Sequence, residues 1–231
     1  MAPEPFIQAV VFDFDGVIAD SEPAHERSML DAAAELGLSF SPREYRETII
    51  GYDDRDAFRV VAQMRGRTLT AAEAASLADD KQRRFEAMLA AGEVTLFPGS
   101  AALVRSAAAR APVAICSGAI RSEIEPLLAQ FGLEGLIRTI VSADDVPVAK
   151  PDPAGYRLTA ERLGVPTDRC VALEDTPTGI QAARGAGYAR LVGVCHSVSA
   201  EELGAVDLVA PDTGSLTADD LLGFNGPTPT G

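Results

Sequence analysis

Two aspartates stand directly after an apolar run near the start of the chain, in the stretch AVVFDFDGVIADSE of residues 9–22. Asp13 and Asp15 are separated only by Phe14, and carboxylates held this close repel each other unless water or a positive charge compensates them. A solvated loop is one interpretation of this pair. The other is a site that holds a cation, where one carboxylate acts as a nucleophile and the other as a general acid and base.

Further polar groups follow other apolar runs. Ser117 and Gly118 follow AIC, Lys150 lies in VAKPDP, and the pair 174–175 (Glu174 and Asp175) follows VAL. Taken singly, Ser117 and Gly118 are typical of a turn, Lys150 with its prolines of a rigid exposed turn, and the pair 174–175 of a helix N-cap. Taken together and in this order, they predict one cluster, because the carboxyl ends of parallel strands meet at the same edge of a sheet.

Such a cluster predicts phosphoryl chemistry. Oxygen ligands without His or Cys suit Mg²⁺, which keeps several waters and binds through carboxylates and a phosphate. A metal and Lys150 would keep Asp13 ionised, so that it attacks phosphorus and forms an aspartyl-phosphate. Asp15 would give a proton to the leaving oxygen and later take one from water. The groups expected to hold the phosphoryl oxygens are the N–H groups of Gly16 and Gly118 and the Ser117 hydroxyl.

The elements that must position these residues alternate after residue 97, where helices of about a dozen residues separate apolar strands. This rhythm predicts an α/β fold with a doubly wound, Rossmann-like parallel sheet. Between residues 21 and 92 only helical patterns occur, which predicts an inserted all-helical cap. We therefore expect an α/β core domain of residues 1–17 and 93–231 and a helical cap domain of residues 18–92.

The expected elements have the following bounds in the sequence. Strands are expected at 6–12, 112–117, 136–142, 170–175, 189–195 and 206–210, and helices at 21–37, 41–51, 54–66, 70–92, 100–110, 120–132, 153–164 and 178–187.

Composition restricts the partners of the protein. The 231 residues are 47% hydrophobic and carry a formal net charge of -14, so nucleic acid and anionic membranes are not expected to bind. Three distant cysteines fit reduced thiols in a cytoplasm. The first basic residue is Arg27 and no apolar run is long enough to span a bilayer. We expect a cytoplasmic protein that is a monomer.

The motifs DFDGVIADS, ICSG, AKPDP and LEDTPTGIQAARGAG resemble those of the haloacid dehalogenase (HAD) superfamily over essentially the whole chain. The resemblance implies Asp13 as the nucleophile, Asp15 as the general acid and base, and Ser117 and Lys150 as phosphoryl-binding residues. It also implies Mg²⁺ on the carboxylates of Asp13 and Asp175 and on the backbone carbonyl of Asp15, with Glu174 at or near the metal.

Within this superfamily, a helical insert after the first motif is similar to the type-one cap. DSEPAH and LEDTPTGIQAA are most similar to the β-phosphoglucomutase-like phosphatases. His25, Arg55 and Lys81 match positions where such caps face the substrate, the match of Arg55 needing a shift of one residue. The alternatives are a surface histidine for His25 and a residue in an ion pair at a helix N-terminus for Arg55. Lys81 and Lys150 are the only lysines in the chain.

The residues at the end of the second predicted strand (112–117) distinguish between two activities. β-Phosphoglucomutases usually have Ser-x-Ser-Lys-Asn there, which binds a distal phosphate, whereas this chain has Ser117-Gly118-Ala119-Ile120-Arg121. Only Arg121 remains as a cation of this rim, and we expect it to bind the substrate. We therefore expect a phosphatase of small phosphorylated metabolites, with sugar phosphates as the expected substrates. The alternatives are a sugar-phosphate isomerase of the β-phosphoglucomutase type and a non-catalytic binding protein on this fold.

Overall fold

The computed structural model describes residues 7–50 and 52–223. The chain divides into two compact units, one of Met1–Asp20 with Thr95–Gly231 and the other of Ser21–Val94. The described residues of the first are called the sheet unit, and those of the second the helical unit. Two predicted ends, the start of a strand at Phe6 and the end of a helix at Gly51, lie outside the described residues.

The main sheet of the sheet unit consists of β1 Ala9–Phe12, β4 Val113–Cys116, β5 Ile137–Val141, β6 Cys170–Glu174, β7 Arg190–Val194 and β8 Leu208–Ala210. Every neighbouring pair of these six strands is parallel, in the order β5-β4-β1-β6-β7-β8. The predicted parallel α/β fold is confirmed, although each strand is shorter than its apolar run.

The central strand β1 lies between β4 and β6, and all residues of these three strands are buried. Strands covered on both faces read as continuous apolar runs, as these do. Phe12 pairs with Ile115 on one side and with Leu173 on the other. The polar residues that follow the three strands are therefore placed side by side at the carboxyl edge of the sheet.

Helices cover both faces of this sheet, as a doubly wound fold requires. The helices are α5 Ser100–Ala108, α6 Arg121–Gln130, α7 Ala154–Leu163, α8 Pro177–Ala186, α9 Ala200–Leu203 and α10 Ala218–Leu222, with 3-10 turns at Glu134–Leu136, Ala143–Asp145, Thr167–Arg169 and Thr213–Ser215. Val11 and its neighbours pack with α7 and α8, whereas α5 contacts β4 and α10 contacts β1.

A small antiparallel pair of strands was not predicted. β2 (Ala19–Asp20) and β3 (Thr95–Leu96) pair through Ala19 with Leu96 and Asp20 with Thr95. They lie where the chain leaves the sheet unit and where it returns to it. Two residues per strand give no periodic pattern that a sequence window could detect.

The helical unit contains no strand among its described residues, and its apolar core includes Phe40, Phe58 and Val61. The predicted helix over 41–51 is instead one short α-helical turn followed by a π-helical turn, in which the Ile50 N–H donates to the Tyr45 carbonyl at 2.9 Å. The Tyr45 ring is buried in the core there. The elements are α1 Glu22–Ala34, α2 Pro42–Glu44, the π turn Tyr45–Ile49, α3 Asp54–Met64 and α4 Ala71–Ala90.

Within residues 7–50 and 52–223, none of the helices combines the length and the apolar character that crossing a membrane would require.

Candidate active site

Lys150 connects three elements at the carboxyl edge of the sheet. Its ammonium nitrogen lies 2.7 Å from Oδ1 of Asp13 and 2.6 Å from Oε1 of Glu174, and it also donates to the backbone carbonyl of Cys116 at 3.0 Å. An ammonium group has three donors, and three partners are in place. The structure therefore brings together residues that are 137 and 24 positions from Lys150 in the chain.

The electrostatics of this contact favour an ion pair. Burial lowers the pKa of the Lys150 ammonium, but the charges of Asp13 and Glu174 outweigh burial, so that its pKa lies well above the ordinary value. Burial raises the pKa of Asp13 well above its usual range, and Lys150 opposes this effect. Lys150 thus stays charged and stabilises a buried carboxylate that would otherwise resist ionisation.

Three carboxylates form a cluster around this contact. Oxygens of Asp13, Glu174 and Asp175 lie within 4.8 Å of one another, and all three residues are buried. Burial, together with the charge of Glu174, raises the pKa of Asp175 to about 7. When all three carboxylates are ionised, the single ammonium of Lys150 leaves two negative charges, and one divalent cation would compensate them and favour the ionised state.

The oxygens of Asp175 fit such a cation. Its Oδ1 is buried and has no hydrogen-bond partner within the described part of the chain, which is costly for a carboxylate unless another ligand satisfies the oxygen. The donors of the cluster are oxygens only, which suits Mg²⁺. Asp13 and Asp175 are therefore the side chains that would hold the ion.

Glu174 has a different environment from the other two carboxylates. Its Oε1 accepts from Lys150 and from the Tyr156 hydroxyl, each at 2.6 Å, and its Oε2 accepts from Thr176 at 3.3 Å. A Cβ at Gly179 would lie 1.9 to 2.1 Å from the atoms of its carboxyl group. Glu174 is thus enclosed by protein groups and anchors Lys150, while it still lies beside the proposed metal ligands.

The loop that carries Asp15 turns tightly at Gly16. Gly16 has a φ of 76°, and a Cβ there would lie 1.8 Å from Oδ2 of Asp175, so only glycine fits. Asp15 forms a β-bridge with Ala19. The Gly16 N–H donates to the Ala19 carbonyl at 3.0 Å, so the prediction that this N–H holds a phosphoryl oxygen is wrong.

Ser117 and Gly118 lie at the end of β4, as predicted. The Ser117 Oγ accepts from the Ala119 N–H at 3.0 Å, which leaves the hydroxyl proton to donate elsewhere. Gly118 is exposed, and a Cβ there would meet nothing within 4 Å. Ser117, Gly118 and Lys150 also line a cavity of about 220 Å³, whose other wall includes residues 146–149 and Tyr156.

Arg121 lies at the start of α6, and its guanidinium is already engaged. It contacts Asp145 at 3.0 Å, the Ile140 carbonyl at 2.9 Å and Glu125 at 3.3 Å. Asp145 is held in turn by Arg162 at 2.7 Å. Arg121 therefore stabilises the segment after β5 rather than presenting an unpaired positive charge.

His25, Arg55 and Lys81, the three residues predicted to face the substrate from the cap, have distinct environments in the helical unit. The Lys81 ammonium is buried and lies 3.0 Å from Nδ1 of His25 and 3.1 Å from Asp54. The His25 ring stacks on Phe85 with a centroid distance of 4.0 Å. Arg55 is exposed at the start of α3, where its N–H donates to Asp53. The structure thus joins His25 and Lys81 and leaves Arg55 outside their contact.

Two residues of the site were missed by the sequence reasoning. Tyr156 contacts Glu174, and the Ser197 hydroxyl donates to Oδ2 of Asp175. Ser197 follows β7 by three positions, so the search for polar residues after apolar strands could have found it. Tyr156 lies inside α7, and its sequence gives no signal for a contact with a carboxylate.

A comparison with protein families matches most of the chain. The family described as haloacid dehalogenase-like hydrolase matches residues 7–187. Those residues include every member of the cluster around Lys150, but not the loop that contains Ser197.

Individual proteins similar to this chain include Protein CbbY of Cereibacter sphaeroides, with 34% identity over 93% of this chain and 97% of CbbY. Fructose-1-phosphate phosphatase YqaB of Escherichia coli is 32% identical over 77% of this chain and 92% of its own. A crystal structure of mutant CbbY from Rhodobacter sphaeroides in complex with xylulose-(1,5)bisphosphate has a TM-score of 0.79 at 30% identity. The match covers 91% of this chain and 96% of that CbbY chain.

Proposed function

The chain belongs to the haloacid dehalogenase-like hydrolases, and on this premise we propose that it is a Mg²⁺-dependent phosphatase of phosphorylated sugars that works through an aspartyl-phosphate. The observation that carries the proposal is the contact between Lys150 and Asp13 inside the cluster of three carboxylates. It supports an ionised, buried carboxylate at the edge of the sheet where a phosphate ester would bind.

In this proposal Asp13 attacks phosphorus. The bond between Asp13 and phosphorus forms while the bond to the leaving sugar oxygen breaks, and Asp15 gives that oxygen a proton. Asp15 then removes a proton from water, which attacks the phosphorus and releases phosphate and free Asp13. Lys150 supports the first step, because its charge opposes the effect of burial on the pKa of Asp13 and so favours the ionised carboxylate.

The residues that would hold Mg²⁺ are Asp13 and Asp175 through their carboxylates and Asp15 through its backbone carbonyl, with Glu174 beside them. When bound, the ion compensates negative charge on the carboxylates and on the phosphoryl group. The buried, unpartnered Oδ1 of Asp175 supports this ligand set. Ser117 and Gly118 would hold the phosphoryl oxygens, together with Lys150 once its ammonium exchanges one of its three present partners for a phosphoryl oxygen.

The proposed substrate class is phosphorylated sugars. One relative is named a fructose-1-phosphate phosphatase, and another was crystallised with xylulose-(1,5)bisphosphate. We also propose that His25, Lys81 and Arg55 of the helical unit contribute to substrate binding. The cytoplasmic location and the monomeric state inferred from the sequence stay predictions.

Hydrolysis is favoured over isomerisation by the environment of Arg121. A mutase must hold an intermediate with two phosphates, and Arg121 is the only cation that residues 117–121 offer for the distal one. Its guanidinium is occupied by Asp145, Glu125 and a backbone carbonyl. A distal phosphate would have to displace these partners, so we propose that water takes the phosphoryl group from Asp13.

A screen of phosphorylated sugars tests the proposal. The purified protein is incubated with each compound in the presence of Mg²⁺ or of a chelator, and both inorganic phosphate and isomerised sugar are measured. We expect phosphate release that needs Mg²⁺ and that Asp13→Asn abolishes. Formation of glucose 6-phosphate from β-glucose 1-phosphate with a bisphosphate primer would instead identify a mutase, and activity retained by Asp13→Asn would exclude the aspartyl-phosphate.

A further inference from the structure

The loop that follows β7, residues 195–199, contains no residue to which a motif assigns a role, and it is called the β7 loop here. Its Ser197 hydroxyl donates to Oδ2 of Asp175. The other oxygen of the same carboxylate, Oδ1, is buried and unpartnered within the described residues. The two oxygens of Asp175 are thus distinguished, since one is held by Ser197 and the other is left for a ligand.

The contact between Ser197 and Asp175 is enclosed on its other side by Gly16. A Cβ at Gly16 would lie 1.8 Å from Oδ2 of Asp175 and 3.0 Å from the Ser197 Oγ. The Asp175 carboxylate is therefore packed against Gly16 and bonded to the Ser197 hydroxyl. A rotation of the carboxylate out of its present plane would break the bond to Ser197 and leave a second buried oxygen unpaired.

The neighbouring residue of the β7 loop, His196, fixes the backbone of Gly16. The Thr213 N–H can only donate, so Nε2 of His196 accepts from it at 3.3 Å. The proton of a neutral imidazole is then on Nδ1, which donates to the Gly16 carbonyl at 2.7 Å. The ring also stacks on Phe97 with a centroid distance of 3.8 Å, so its orientation is fixed by three contacts.

We propose that Ser197 and His196 are positioning residues of the divalent cation site, Ser197 by directing Oδ1 of Asp175 to the ion and His196 by fixing the Asp15–Gly16 backbone. The inference rests on the cation site of the proposed function. Ligand groups held by a second set of hydrogen bonds lose less entropy when the ion binds, and removal of such bonds typically weakens metal affinity about 10- to 100-fold.

Ser197→Ala tests the first half of the proposal. Mg²⁺ is titrated into the metal-free protein by calorimetry, with Mn²⁺ binding followed by electron paramagnetic resonance as a second readout. We expect affinity at least about tenfold weaker than in the wild type, and partial recovery in Ser197→Thr, which keeps the hydroxyl. Ser106→Ala is the control, because Ser106 lies on α5 and its hydroxyl donates only to the Leu103 carbonyl.

His196 is tested with two amide substitutions, His196→Asn and His196→Gln, each of which keeps a polar group near one nitrogen of the imidazole ring. Asn places its NH₂ near the position of Nδ1 and can still donate to the Gly16 carbonyl, whereas Gln places its amide near Nε2. We expect Mg²⁺ affinity to fall more in His196→Gln than in His196→Asn. The reverse order would overturn the role of His196, provided that circular dichroism and thermal unfolding show both variants to be folded.

Metal binding separates this inference from the proposed function. If the wild type binds Mg²⁺ and Ser197→Ala binds it within twofold as tightly, the positioning role is overturned while the proposed function stands. If the folded wild type binds neither Mg²⁺ nor Mn²⁺, the cation site of the proposed function fails and the inference fails with it.

Discussion

Tyr156 donates its hydroxyl proton to Oε1 of Glu174 at 2.6 Å, and both side chains are fully buried. Burial raises the pKa of Tyr156 well above its ordinary value, so the phenol remains a donor. The same carboxylate oxygen accepts from Lys150. Tyr156 therefore supports the carboxylate that fixes the lysine, and the lysine in turn contacts Asp13.

Tyr156→Phe is expected to reduce both stability and activity. Glu174 loses one of the donors that compensate its burial, which costs about 1–3 kcal/mol of unfolding free energy, and Lys150 is held less firmly beside Asp13. We expect kcat to fall by about tenfold, measured with the best substrate of the screen. Tyr188→Phe is the control, because its hydroxyl donates to the Tyr156 carbonyl at 2.9 Å in the same core. It should lose stability with kcat within twofold of the wild type; equal losses of kcat in both variants would contradict the role of Tyr156.

Substitution by alanine is expected to destabilise the protein at Gly179 but not at Gly118. A Cβ at Gly179 would overlap the Glu174 carboxyl, at 1.9 to 2.1 Å from its atoms, whereas a Cβ at Gly118 would meet nothing within 4 Å. Overpacking a buried site typically costs about 1–3 kcal/mol. Gly179→Ala should therefore lower the unfolding free energy by that amount in urea denaturation. Gly118→Ala should change it by less than about 0.5 kcal/mol, and similar values for the two variants would show that Glu174 can move.

The positions of Asp13, Ser117, Glu174 and Asp175 were predictable because each ends or follows an apolar strand. Burial on both faces makes such strands visible in the sequence, and parallel pairing places their ends at one edge. The sequence could not supply the distance from Lys150 to Asp13, because the lysine lies in a loop whose path depends on tertiary contacts. It also could not show that Arg121 is paired with Asp145, since that contact joins the start of α6 to the segment after β5.

Mg²⁺ is expected to stabilise the protein through Asp175. A ligand that binds only the folded state raises the unfolding free energy by RT ln(1 + [L]/Kd), which is about 2.7 kcal/mol at 100 times Kd. We expect thermal unfolding to shift upwards on addition of Mg²⁺ in the wild type and not in Asp175→Asn. Asp79→Asn is the control, because Asp79 is exposed on α4, and it should respond like the wild type. A full shift in Asp175→Asn would place the ion elsewhere.

His25 gives the helical unit a predictable dependence on pH. Burial, and then the charge of Lys81, lower the pKa of the His25 ring to about 3. The geometry agrees, because the Lys81 ammonium can only donate and Nδ1 of His25 must accept from it at 3.0 Å. The other charged group of this contact is Asp54, which pairs with Lys81 at 3.1 Å. The ring is therefore neutral at physiological pH.

The sign of the effect follows from the pKa in the two states. The unfolded chain takes up a proton on His25 below about pH 6.5, whereas the folded state does so only near pH 3, so stability is full above pH 6.5 and falls as the pH decreases. At pH 5, which is about 1.5 pH units below the His25 pKa of the unfolded state, the unfolding free energy is therefore about 2 kcal/mol lower than at neutral pH. Urea denaturation of the wild type should show a loss of unfolding free energy between pH 7.5 and pH 5. In His25→Gln, which cannot titrate at this position, that loss should be about 2 kcal/mol smaller.

Lys81→Met separates the two causes of this shift. It removes the charge and keeps most of the volume, so the His25 pKa should rise from about 3 but stay below 6.5, since burial is the larger cause. The measurement is a titration of the ring protons by nuclear magnetic resonance, with His196 as the only other histidine of the chain. An unchanged pKa in Lys81→Met would show that the ammonium does not act on His25, and a pKa near 6.5 in the wild type would show that the ring is open to water.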